Sequence, residues 1–137
     1  MRMVTCGENH SLAVLSAGGV FSWGANSAGQ CGLEHVVDVK QPARVRFPML
    51  PKQTAPFDLV SISGGSQHTL VAVMVGPASF VLGCGSNVDG QLGLGAPQEN
   101  GDTHFLAPFP IGGFAGDPSR VIVQVCPLAR LFWTHRP

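Results

Sequence analysis

Cys6 and His10 stand four residues apart, as do Cys31 and His35, and two thiols with two imidazoles could in principle complete a tetrahedral zinc site. His10-Ser11, repeated as His68-Thr69, raises a second chemistry, a base beside a hydroxyl nucleophile. Glu8, Glu34, Asp38, Asp58, Asp89, Glu99, Asp102 and Asp117 raise a third, since glycoside hydrolysis needs two carboxylates facing across a cleft. Gly90-Gln91-Leu92-Gly93-Leu94-Gly95 has the glycine density of a phosphate loop. Three of these fail on local grounds. Neighbouring strand residues project to opposite faces, so a histidine cannot reach the hydroxyl that follows it. The acids are scattered among turn-like stretches, with Asp89-Gly90 reading as a turn. The glycine segment lacks the Lys-Ser/Thr that grips phosphate, and the chain has no G-x-S-x-G elbow.

The elements that must position these residues follow from composition. The 137 residues suffice for one domain, with 45% hydrophobic and only 12% charged residues, about half the charge of an ordinary soluble domain. With Gly 18 and Pro 11, the chain is suited to short strands joined by glycine turns and not to long helices. Eight cations balance eight acids, so no broad field draws nucleic acid or an anionic membrane to this chain. No apolar run approaches membrane-spanning length, the start lacks a signal-type segment, and the four cysteines form no CxxC pair. A cytoplasmic or nuclear location is the resulting expectation.

The dominant pattern is internal repetition. Gly7, His10, Ser11 and Leu12 recur as Gly65, His68, Thr69 and Leu70, an offset of 58 residues. Gly24, Asn26, Gly29, Gln30 and Gly32 recur as Gly85, Asn87, Gly90, Gln91 and Gly93, at 61. Pro42-x-x-Val45 answers Pro108-x-x-Ile111 at 66, so the insertions fall between conserved strand words. Each unit resolves into a hairpin, Leu12–Val14 with Val20–Trp23 and Leu70–Val73 with Phe80–Leu82, followed by an Asn-x-x-Gly-Gln-x-Gly turn. Alternation puts Phe21 and Trp23 on one face, which is expected to be interior. The second unit is continuously apolar, as befits a strand covered on both sides. Gln30 and Gln91 are candidates to bridge neighbouring units through their side chains. The proline-rich stretch 34–59 is expected to hold one edge strand near Val45–Phe47.

Repetition also disposes of the zinc site. Cys6 aligns with Gly64 and Cys31 with Leu92, so neither thiol belongs to the repeated word, and the recurring histidines are expected to serve the fold. No catalytic, metal-binding or cofactor-binding residue is assigned.

The words His10-Ser11-Leu12-Ala13-Val14, Gly19-Val20-Phe21-Ser22-Trp23-Gly24 and Gly90-Gln91-Leu92-Gly93-Leu94-Gly95 resemble the regulator of chromosome condensation repeat, the unit of seven-bladed β-propellers. That resemblance implies an all-β, incomplete propeller of about two four-stranded antiparallel blades with long Pro/Gly-rich loops. Repeat one covers about 4–59 and repeat two about 60–120, with a divergent or truncated third at 121–137, where Cys126-Pro127 replaces the expected Cys-Gly start. Two blades alone leave two apolar faces open, so the chain is expected to be a fragment or an assembling unit, completed by self-association or by further blades.

Function under this resemblance is protein binding or scaffolding without catalysis. The alternatives it implies are nucleotide exchange on a Ran-type small GTPase, or chromatin association, as part of a complete propeller. Lys40, Arg44, Arg46 and Lys52, with Asp38 the only acid among them, form the candidate partner-binding rim.

Overall fold

The computed structural model describes residues 2–16, 19–48, 58–92, 104–110, 120–126 and 130–135. Lys52 and Gly93 lie outside these stretches, as do residues 17–18 and 127–129 and most of the two proline-rich stretches. The described strands build three antiparallel sheets. β1 (Met3–Cys6), β2 (His10–Val14), β3 (Val20–Gly24) and β4 (Val39–Arg44) form the first, in sequence order. β5 (Asp58–Gly64), β6 (His68–Val75), β7 (Ala78–Ser86) and β8 (His104–Pro110) form the second in the same order, and β9 (Arg120–Cys126) pairs with β10 (Arg130–His135) in the third.

The repeat is reproduced to the level of register. His10 pairs with Gly24 as His68 pairs with Gly85, and Phe21 with Arg44 as Leu82 with Pro110. A bulge interrupts both outer pairings at the same place, between Ser22 and Gly24 and between Gly83 and Gly85. Gly24 and Gly85 adopt φ of 111° and 101°, a region open to glycine and strained for other residues.

Sheet two is the middle layer. β5 packs on β1 and β2 of the first sheet, while β9 lies against β5, β6 and β7. Leu12, Val14 and Val20 meet Leu59, Ile62, Val71, Val73 and Leu82 across the first interface. Each such side chain, removed from water, contributes about 1.5–3 kcal/mol before entropy is counted. Leu70, Val71, Ala72 and Val73 are buried consecutively, which requires neighbours on both faces of β6.

Three sequence expectations are corrected. The edge strand is β4, at Val39–Arg44, and it carries Pro42 within it instead of following it. Val45 N–H donates to Val20 carbonyl (2.8 Å), so alternation turns position 42 toward the open edge, where a missing amide proton breaks no ladder bond. Phe21 and Trp23 are half-buried and not interior, because Val20 and Ser22 take the inward positions of β3. One of the two faces expected to be open is covered, by the two-stranded sheet of β9 and β10 in the divergent third repeat.

Candidate functional site

The polar residues that recur in both units converge on the first inter-sheet seam. Gly7 and Gly65 open each unit, and their lack of a side chain is what admits the imidazole three residues later: a Cβ at Gly7 would collide with the ring of His10, and one at Gly65 with the ring of His68. Gly7 N–H donates to His10 carbonyl and Gly65 N–H to His68 carbonyl, both at 2.8 Å, closing the same tight turn twice. His10 is 3% exposed and reaches across the seam.

There its Nε2 lies 2.8 Å from Thr69 Oγ1, while the Thr69 hydroxyl donates to Gln30 carbonyl at 2.7 Å. A hydroxyl has one proton to give. With it committed to Gln30, Thr69 accepts from His10, which makes His10 a neutral imidazole protonated on Nε2. His10 Nδ1 is buried and makes no hydrogen bond among the described residues. Burial, helped by the nearby His68, lowers the His10 pKa to about 4. Gln30 carbonyl also accepts from the Cys84 thiol (3.6 Å), and burial pushes that thiol up to about 12, with Cys31 adding to the effect. Burial likewise raises Cys31, whose thiol faces Ala25 carbonyl at 3.5 Å. Neither buried thiol is poised for nucleophilic work at neutral pH. At the solvent margin Glu8 N–H donates to Gly65 carbonyl (3.1 Å) and Ser66 hydroxyl to the Glu8 carboxylate.

The glutamines differ from expectation. Gln30 Oε1 accepts from Ala28 N–H (2.9 Å) and Gln91 Oε1 from Asp89 N–H (2.8 Å), so each side chain folds back on its own turn. The bridge between sheets is made by the backbone carbonyl of Gln30. Asn26 Oδ1 accepts from Cys31 N–H and Asn87 Oδ1 from Leu92 N–H, each at 2.9 Å. Gly29 and Gly90 donate back to the carbonyls of Asn26 and Asn87. The amide nitrogen of Asn26 also donates to the carbonyls of His35 (2.7 Å) and Val37 (3.2 Å), and its backbone N–H to Asp38 Oδ1 (2.9 Å).

The four side chains of the zinc arrangement are turned to separate partners. Cys6 faces outward beside Ser11 (3.7 Å), His10 meets Thr69, Cys31 meets Ala25, and His35 lies by Asn26. Among the described residues, no three His, Cys, Asp or Glu side chains converge as metal ligands would. Of the rim residues, Lys40, Arg44 and Arg46 are exposed along β4 and just beyond it. Sequence reasoning named Thr69 as a repeated position but missed its bridge to His10 and Gln30, and it missed Ser66 and also Ser22, whose hydroxyl donates to Cys31 carbonyl at 2.7 Å. The recurrence of a hydroxyl residue after each histidine was the available signal, but which sheet that hydroxyl meets depends on stacking order.

Comparison with known proteins agrees with this geometry. Residues 17–72 match the family described as regulator of chromosome condensation (RCC1) repeat, a span running from the β2–β3 turn of one sheet into β6 of the next. The human probable E3 ubiquitin-protein ligase HERC3 is 36% identical over 111 residues, which is 81% of this chain and 9% of that protein. The mouse secretion-regulating guanine nucleotide exchange factor is 43% identical over 93 residues, 65% of this chain and 18% of that protein. Among solved structures, Prp20p from Saccharomyces cerevisiae, described with its binding to Gsp1p and histones, superposes with a TM-score of 0.61 at 25% identity, covering 81% of this chain and 26% of Prp20p. The chain thus spans about a quarter or less of each of these three proteins.

Proposed function

Since the chain carries RCC1 repeats folded as an incomplete propeller, we propose that it is a protein-binding or scaffold portion of such a propeller, without catalytic chemistry of its own. One observation carries this reading. The polar residues that converge on the seam, His10, Thr69, Cys31, Cys84, Asn26 and Gln30, are buried and hydrogen-bonded to one another or to backbone, leaving side chains on the outside of the sheets to meet a partner. Fold likeness alone does not choose among the roles such scaffolds take. The test is chemical cross-linking of the full chain in extract, followed by reconstitution of any captured protein from purified components. A saturable one-to-one complex is expected; failure of every captured candidate to bind in purified form overturns the reading.

A second reading is favoured by the 43% identity to the secretion-regulating exchange factor and by the fold shared with Prp20p. In it, the chain contributes to nucleotide exchange on a Ran-type small GTPase. Release of a fluorescent guanine nucleotide from such a GTPase should accelerate with added chain. An unchanged release rate at high chain concentration removes this reading and leaves the scaffold reading intact.

A further inference from the structure

The loop ahead of β4 is exposed and yet fixed. Residues 34–38 all face solvent, with Val36 at 50% and Val37 at 68% exposure. Beneath them lies Asn26, wholly buried, whose side-chain amide holds the carbonyls of His35 (2.7 Å) and Val37 (3.2 Å). The Asp38 carboxylate accepts from the Asn26 backbone N–H (2.9 Å), and Val37 N–H donates to His35 Nδ1 (3.2 Å). Glu34, at the entry, has φ of 66°, alone among the described non-glycine residues in the positive region. The backbone of 34–38 is thus held in one conformation that sets two valines in water. A mere connection needs neither valine, since polar turn residues serve it equally well. An apolar tip on a preordered backbone suits docking, because the ordering entropy is lost before a partner arrives.

This loop projects from an end of the sheets and not from a face. His10 pairs with Gly24 and His68 with Gly85, so the turns at 7–9, 25–38, 65–67 and 87–92 gather at one end. They are tied together there: Ala25 N–H donates to Asn9 carbonyl, Glu8 N–H to Gly65 carbonyl and Ser86 N–H to Gln67 carbonyl. Sheets of a propeller stack face to face, so a sheet added on either side covers a face and leaves this end to solvent. Those turns hold Glu8, Glu34, Asp38 and Asp89 with no lysine or arginine, and they add Val88 at 55% exposure. Arg2, Arg44 and Arg46 stand at the opposite end, where Met3 pairs with Val14 and Phe21 with Arg44, against Asp58 alone among the described acids. The described charges are therefore separated end to end.

We propose that the Val36–Val37 loop docks a basic polypeptide segment of a partner protein, the valines covering its apolar anchor while Glu34 and Asp38 receive its lysines or arginines. The inference rests on the protein-binding reading above and names the surface and the chemistry of its partner. The four carboxylates of this end repel an acidic segment, a nucleic acid or an anionic membrane, which leaves a basic polypeptide as the charged partner that fits.

The test follows the anisotropy of fluorescein-labelled twelve-residue peptides titrated with the full chain. One alternates lysine and leucine, one lysine and serine, and one glutamate and leucine. The lysine–leucine peptide should bind saturably, weaken as salt rises, and lose at least tenfold in affinity against Val36→Ser/Val37→Ser. The exposure of both valines leads us to expect an unchanged thermal midpoint in that variant; should the midpoint fall, Val37→Ser alone must show the loss. Glu34→Gln should weaken the same peptide and flatten its salt dependence. Absence of binding, undiminished binding to the valine variants, or equal binding of either control peptide overturns the proposal. Concentration-dependent self-association abolished by the valine variant also overturns it, assigning the loop to the cationic end of a second copy. If a reconstituted partner binds wild type and variant alike, the surface is wrong and the scaffold reading survives; if no partner binds at all, that reading has failed independently.

Discussion

At the scale of single residues, the seam between the first two sheets is a test of paired polar burial. Thr69→Val keeps shape but leaves His10 Nε2 without its partner and the Gln30 carbonyl with the weak Cys84 thiol donor. The orphaned imidazole N–H costs about 1–3 kcal/mol, so urea denaturation should show a clear fall in midpoint, and a double-mutant cycle with His10→Phe should show strong coupling. The glycines separate steric from conformational demand. Gly65→Ala should destabilise because its methyl meets the His68 ring, and His68→Ala should restore part of the loss by removing that ring. Gly85→Ala should find no such rescue, since its Cβ meets Gln67 carbonyl and its φ of 101° is strained for alanine. Both pairs are read from thermal midpoints.

At the scale of elements, the Asn-x-x-Gly-Gln turn is a brace that in its first copy also holds the chain beyond it. Asn26 ties down the carbonyls at His35 and Val37 and thereby the approach to β4. Asn26→Ala should therefore cost about 1–2 kcal/mol in denaturant unfolding. Amide exchange around Val39–Ala43 should rise in this variant. Hairpin partners and the recurrence of these turns were legible in the sequence, because glycine spacing and period-2 alternation act locally. The placement of β4 was not: Pro42 argued against a strand, and only its outward-facing position at an edge makes it harmless. Trp23 was misjudged for a related reason, since alternation says which residues share a face but not which face is covered.

At the scale of the molecule, one buried imidazole links acidity to sheet packing. The His10 pKa of about 4 lies below the ordinary 6.5, so the unfolded chain takes up this proton first. Between these values the unfolded state binds more protons, and stability falls as pH drops; above 6.5 the contribution is fully present. We expect a loss of about 1–2 kcal/mol across that window, followed by urea titration at fixed pH, with the slope reduced in His10→Gln. A slope unaltered by that substitution would assign the acid sensitivity to other groups.

The amino-acid sequence alone determined the repeat, the antiparallel hairpins and the turn chemistry, since each arises from residues close along the chain whose conformational needs are met wherever they sit. Tertiary structure alone decided that Gln30 bridges sheets with its carbonyl and which sheets cover the two sides of the second one. It also gathered Glu8, Glu34, Asp38 and Asp89 at one end of the sheets. Those outcomes depend on how sheets stack, and stacking is fixed by burial shared among residues as far apart as Leu12, Val71 and Leu82, which no local spacing encodes.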